Sequence, residues 1–152
     1  MIEIKKLSPN NFPIRLKEIN DPPKELYLRG VLPDDKDETK WLCVVGSRKS
    51  TNYGKEVCEK LLSGLAGYPI IIVSGLALGI DAIAHRSALE ARLKTVAVPG
   101  SGLSPKVLYP AANLRLSEKI LEAGGALLSE FEPNFKATPW SFPQRNRIMA
   151  GL

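Results

Sequence analysis

Three glycine-bearing loops and one basic, aromatic segment hold the residues of this chain that could do chemistry. The first loop, Gly46-Ser47-Arg48-Lys49, follows the apolar run Trp41 to Val45. Small residues let the backbone approach a ligand closely, free N–H groups at a helix start attract phosphate, and Arg48 and Lys49 add positive charge. The second loop carries Gly75 and Gly79 just ahead of Asp81, and the third is Gly100-Ser101-Gly102. The segment Trp140-Ser141-Phe142-Pro143-Gln144-Arg145-Asn146-Arg147 sets two arginines and an amide beside two aromatic rings. Aromatic faces stack on unpaired bases, each worth roughly 1–3 kcal/mol, while arginines hold backbone phosphates. A plainer assignment keeps Phe142 in the core and pairs Arg145 and Arg147 with Glu130 or Glu132. From residue types alone both stay open.

Several familiar chemistries lack support. The loop at Gly46 is not a Walker A sequence, which needs Gly, four residues and then Gly-Lys-Ser/Thr. Gly100-Ser101-Gly102 is followed by Pro105 where a dinucleotide fingerprint requires its third glycine. Neither ATP hydrolysis nor NAD binding is expected, and no cofactor is. Asp81 and His85 are four residues apart and share a helix face. They read either as an acid–base pair or as a helix-start carboxylate steadying a histidine. No serine or cysteine nucleophile stands in a recognisable setting, so the chain is expected not to be an enzyme. One histidine and two cysteines, Cys43 and Cys58, are too few for a zinc cluster or a disulfide framework.

The elements that must position these loops follow from apolar patterning. Short continuous apolar runs at Trp41 to Gly46, Pro69 to Val73, Lys94 to Val98 and Ala126 to Ser129 read as strands buried on both faces. Helical spacing marks Tyr53 to Ala66, Ile80 to Leu93 and Ala111 to Ala123, and Phe142 to Leu152 reads as a loop entering a helix. This alternation predicts an α/β fold, a Rossmann-like doubly wound parallel sheet in three layers, α/β/α. Ligands of such sheets sit beyond the carboxyl ends of the strands, where all the distinctive loops fall. Residues 1–40 form a lead-in that packs on the main domain, residues 41–152. The lead-in contains a short strand at Glu25 to Arg29 and a turn-rich connector at 32–37.

Composition bounds the class. Apolar residues make up 44% and the net charge is +5, which excludes general disorder for 152 residues. The charge is unevenly placed: residues 1–40 hold 8 basic and 8 acidic residues, so the excess lies wholly beyond Lys40. No apolar run approaches the roughly 20 residues that span a bilayer. MIEIKK lacks the apolar core of a signal peptide, and a reducing cytoplasm is the expected compartment with no membrane partner.

Five ordered blocks resemble the DNA-processing protein A family (DprA, also called Smf). They are VVGSRKSTNYG, IVSGLALGIDAIAHRSAL, VAVPGSGLSPKVLYPAAN, LLSEFEP and FPQRNRIMAGL, preceded by the lead-in FPIRLKEINDPPKELYLRG. Any one glycine loop is weak evidence, but five blocks in order are specific. The resemblance implies an extended Rossmann fold that binds single-stranded DNA, protects incoming strands during natural transformation and loads the recombinase RecA onto them. It implies a homodimer in the full-length protein and no catalysed reaction. Carried over by position, the family's GSR motif falls on Gly46, Ser47 and Arg48, with Arg48 the phosphate ligand. The stacking aromatic falls on Phe142, and Arg145, Asn146 and Arg147 fill the RNR block, where Asn146 and one arginine organise the pocket. Relatives place a lysine where this chain has Pro139, and Lys136 is the candidate substitute. The family continues beyond Leu152 with more strands and much of the dimer surface, so the chain reads as C-terminally truncated. Two alternatives have different chemistry: a nucleotide-processing enzyme of the LOG or lysine-decarboxylase-like Rossmann group, and a nucleotide-sensing module. The first needs a PGG-GT loop and a following glutamate, whereas Leu103 and Ser104 follow Gly102 here.

Overall fold

The computed structural model describes residues 2–34, 36 and 38–152. Four parallel strands form the centre: β3 (Lys40–Cys43), β4 (Ile70–Ser74), β5 (Lys94–Ala97) and β6 (Ala126–Ser129). The lead-in adds two more, β1 (Ile4–Lys6) and β2 (Tyr27–Gly30), both in antiparallel pairings. The six-stranded sheet therefore runs β1-β2-β6-β5-β4-β3 and is mixed rather than wholly parallel. The expected strand at Glu25 to Arg29 is present as β2, starting two residues later and ending one later, while β1 is too short and polar to read from its sequence. The connector expected at 32–37 carries no helix or strand at 32–34 and 36, and Asp35 and Asp37 lie outside the described residues.

Alternation along each strand divides the core between two faces. Ile71 and Val73 of β4 join Val96, Leu128, the helical residues Ile148 and Met149 and the cap residue Leu152 on one side. Phe12 and Leu16 of the lead-in, on and beside short 3-10 helices, complete that cluster. On the other side Ile72 packs with Cys58 and Leu62 of α1 (Asn52–Ser63) and with Ile83 and Ala88 of α2 (Ile80–Glu90). Ala97 and Leu127 pack there with Leu116 and Ile120 of α3 (Leu114–Glu122), which a 3-10 turn at Ala111–Asn113 precedes. Thus α1, α2 and α3 cover one face, and α4 (Ser141–Gly151) with the lead-in covers the other. Each fully buried leucine or isoleucine in these layers contributes about 1.5–3 kcal/mol.

Two arginines of the lead-in tie it to this frame. Arg29, only 2% exposed, donates to the carbonyl of Ile2 (2.8 Å) and to Glu118 of α3 (3.0 Å). Arg15 donates to the carbonyl of Leu152 (3.1 Å). One expectation fails: β3 is not buried on both faces. It lies at the sheet edge beside β4, and Leu42, Cys43 and Val45 are exposed. The apolar run is real, but among the described residues no strand pairs with its outer edge.

Candidate functional site

All four parallel strands deliver their following loops to one edge of the sheet, and α4 begins beneath them. Asp81, in the first turn of α2, accepts hydrogen bonds from the backbone N–H of Gly46 (3.4 Å) and Gly75 (3.0 Å). Its charge also complements the positive end of the helix. Arg145, 6% exposed, donates through Nη1 to the carbonyls of Gly75 (2.9 Å) and Val98 (2.7 Å). Its Nε donates to Asn146 Oδ1 (2.9 Å). Burial lowers the Arg145 pKa from its ordinary value, the Asp81 carboxylate opposes that shift, and Arg48 adds to it. The Gly75 peptide is thus held from both sides. A Cβ there would stand 2.7 Å from both Arg145 Nη1 and Asp81 Oδ2.

The other loop glycines also mark close approach between protein segments. Gly79 has φ of 79°, and a Cβ on it would run into the Ser47 carbonyl. Gly100 lies against the Phe142 ring, with 2.5 Å between a notional Cβ and Cδ1. Gly102 packs on the backbone of Glu132 and Pro133. Ser101 is wholly buried. Its Oγ accepts from Tyr109 N–H (3.0 Å) and donates to the Gly102 carbonyl (3.0 Å). Gly75, Gly79, Gly100, Ser101 and Gly102 therefore set the floor on which the exposed loop rests.

Gly46, Ser47, Arg48 and Lys49 are exposed on that floor. Ser47 Oγ accepts from Lys49 N–H (3.1 Å), which shapes the turn, and the Ser47 carbonyl accepts from Ile80 N–H (3.1 Å). The Arg48 guanidinium sits over the half-buried Phe142 ring, 5.0 Å from its centroid. Such an exposed cation–π contact is worth about 0.5–1 kcal/mol. Arg145 reaches the same ring at 5.8 Å, and Tyr109 meets it at 5.2 Å and a tilt of 58°. Tyr109 is 44% exposed. Its sequence context puts it only in a loop beside the cleft; the one available signal is an aromatic in the loop after a buried strand.

Helix geometry sorts the two arginines that residue types leave open. Ser141 Oγ donates to the Gly100 carbonyl (2.7 Å) and fixes the start of α4, where Pro143 is tolerated in the first turn. Phe142 and Arg145 are three residues apart and share a face, whereas Arg147 lies about 140° around the helix from Phe142. Arg147 accordingly points away from the cleft, onto Glu130 (2.6 Å) and the Asp21 carbonyl (2.9 Å). Arg145 bonds to backbone rather than to either glutamate, and Asn146 is exposed. Phe142 belongs to none of the core clusters. Trp140 packs edge-on against Phe131 and Phe135, and Lys136 is exposed in the loop before α4.

The expected Asp81–His85 pairing is not formed in either version. Asp81 binds the two amides described above. His85, with no exposed surface, meets Thr95 Oγ1 through Nδ1 (2.8 Å). One turn along α2 points these two side chains at different strands. Among the described residues no three of His, Cys, Asp and Glu gather as a metal site would need, and no helix is long and apolar enough to cross a membrane.

Residues 4–152 match the family model of DNA recombination-mediator protein A. The chain belongs to this family. It is 43% identical over 141 residues to the DNA processing protein DprA of Streptococcus pneumoniae, covering 93% of this chain and 48% of that relative. It is 37% identical over 146 residues to DprA of Bacillus subtilis (96% and 48%) and 38% identical over 141 residues to Smf of Escherichia coli (93% and 37%). The chain thus spans about half or less of the length of these relatives. Among solved structures it resembles S. pneumoniae DprA with a TM-score of 0.82 and 37% identity, covering 98% of this chain and 51% of that one. It also resembles DNA processing protein A of Helicobacter pylori, described for its single-stranded DNA binding mode. There the TM-score is 0.80 at 33% identity, over 99% of this chain and 66% of that one. The Rossmann-like α/β fold is therefore shared with DprA-family structures.

Proposed function

We propose that this chain holds single-stranded DNA at the cleft between the Gly46–Lys49 loop and the start of α4. The observation that carries the reading is the exposed Arg48 guanidinium over the half-buried Phe142 ring, on a floor of buried loops. An unpaired base stacks on Phe142, and Arg48 and Lys49 neutralise the adjoining phosphates. Arg145 and Asp81 do not touch the strand; they hold the Gly46, Gly75 and Val98 backbones in register so that ring and guanidinium meet. The recognition is of backbone and ring face, hence independent of base sequence.

The same site protects incoming strands during natural transformation and presents them to RecA. The protein acts as a cytoplasmic homodimer without cofactor. Two features support a binding rather than a catalytic role. The Asp81 carboxylate is committed to two backbone amides, and the one histidine is wholly buried away from the cleft. Membership of the DprA family and the single-strand binding described for the H. pylori protein point the same way.

The test is titration of fluorescent oligo-dT at several salt concentrations. Phe142→Ala is expected to weaken binding roughly 5- to 150-fold, from about 1–3 kcal/mol of stacking per base. Arg48→Ala is expected to weaken it too, and to flatten the slope of log K against log salt by about 0.7 for each phosphate left without its cation. Unchanged affinity in both variants at low salt would refute the assignment.

A further inference from the structure

A second, unassigned groove runs between α2 and α3. It encloses about 350 Å³, with Arg86 and Glu90 on one wall, Arg115 and Lys119 on the other, and Leu89 and Leu116 beneath. All four charged side chains are exposed, three cations to one carboxylate. Among the described residues, the side chains of Arg86, Arg115 and Lys119 make no ion pair or hydrogen bond to the protein. Four cations elsewhere in the chain do have carboxylate partners: Lys6 with Glu25, Arg29 with Glu118, Lys55 with Glu59 and Arg147 with Glu130. Arg115 and Lys119 are moreover four apart on one helix, an arrangement that costs a few tenths of a kcal/mol in a free helix. Three unpaired cations against one carboxylate leave a net charge of +2 facing one trough, a site for an extended anion.

The position of the groove says which anion. Ala112 lines it and comes three residues after Tyr109, so the two Cα atoms are at most about 11 Å apart. Tyr109 itself touches Phe142. The groove therefore lies next to the cleft, and the segment joining them carries the exposed Tyr109 ring. Arg115 and Lys119 follow each other at about 6 Å along the helix axis, a spacing suited to successive charges on a chain rather than to one compact phosphate. The leucine floor offers no buried polar group to orient a small ligand.

We propose that the α2–α3 groove is a second backbone track, which continues the strand held at Arg48 and Phe142 past Tyr109 and neutralises its phosphates with Arg86, Arg115 and Lys119. This rests on the single-strand reading of the cleft. The test uses the 152-residue chain with oligo-dT in a length series from about 4 to about 16 nucleotides, the range that single-strand sites span. The variant Arg86→Gln/Arg115→Gln/Lys119→Gln is expected to keep the affinity of the wild type for the shortest oligomers and to lose the gain with length. Its salt slope on the longest oligomer is expected to fall by about 2, from three phosphates at about 0.7 each. Lys119→Glu, a single exposed change, provides the same readout with a larger drop per residue, should the triple variant fold poorly. A variant equal to wild type at every length and salt overturns the track. So does an equal loss at all lengths, which would report a general field rather than a path. Failure of the cleft reading looks different: Arg48→Ala and Phe142→Ala then leave short oligomers bound as before. Absence of oligo-dT binding by the wild type overturns both.

Discussion

Acid should destabilise this fold through one residue, and the size of the effect follows from where that residue sits. His85 is wholly buried between α2, β4 and β5. Thr95 Oγ1 donates to the Ile72 carbonyl (2.9 Å), so its lone pairs accept from His85, and Nδ1 carries the ring proton. Burial pushes the His85 pKa down from 6.5 to about 3, with the Ser74 main chain offsetting part of the penalty. The native state thus resists a proton that the unfolded chain accepts below pH 6.5. Stability is full above that value and falls as pH drops towards 3. Between pH 7.5 and pH 5 the linkage amounts to about 2 kcal/mol, at 1.36 kcal/mol per unit of pKa difference realised. For a chain of this size that is roughly 4–8 °C of melting temperature. The chain has one histidine, so no other side chain of that type titrates in this window. Urea unfolding at pH 7.5, 6 and 5 measures the slope, and His85→Gln serves as the reference without a titrating ring. A flat wild-type profile, or the same slope in His85→Gln, would refute the reasoning.

Two further outcomes test the scaffold under the cleft. Arg145→Ala leaves the Gly75 and Val98 carbonyls without their donor and Asp81 without a nearby cation. The expected loss is about 3–5 kcal/mol, seen as a melting temperature lower by roughly 6–20 °C, and a variant melting within a degree or two of wild type would contradict it. Gly100→Ala places a methyl 2.5 Å from Phe142 Cδ1, so the ring must move by about 1 Å to reach ordinary contact. Oligo-dT affinity is expected to fall towards that of Phe142→Ala, while wild-type affinity would show that the ring position is not critical.

Much of this molecule is legible in local pattern. The β-branched run Ile70 to Val73 specifies a strand without outside help, and the apolar spacing of Val57, Leu61, Leu62 and Leu65 marks a helix, though its buried face is Cys58 and Leu62, Leu61 is exposed and Leu65 lies past its end at Ser63. Alternation of such pieces then brings every distinctive loop to one sheet edge, because parallel crossovers return the chain to the same end. The ordered glycine and RNR blocks likewise carry the family relationship in their types and spacing. Arg48 and Phe142 are both legible in the sequence, because a basic residue in a glycine loop and an aromatic beside arginines are local features.

What local pattern could not decide is which neighbour each side chain meets. Arg145 and Arg147 are two residues apart and chemically identical. One is buried under Gly75 and Val98, and the other pairs with Glu130, because α4 starts at Ser141 and turns by about 100° per residue. The glycines look alike as loop residues, yet Gly46 is exposed on one side with the Ile80 side chain against the other, while Gly75 and Gly102 are buried between protein segments that arrive from distant parts of the chain. Trp41 to Gly46 has the composition of a central strand and stands at an edge, since burial of a strand depends on what pairs with it. The cation groove between α2 and α3 joins Arg86 to Arg115 and Lys119 across about 30 residues of sequence, a proximity set only by the packing of two helices on one face of the sheet.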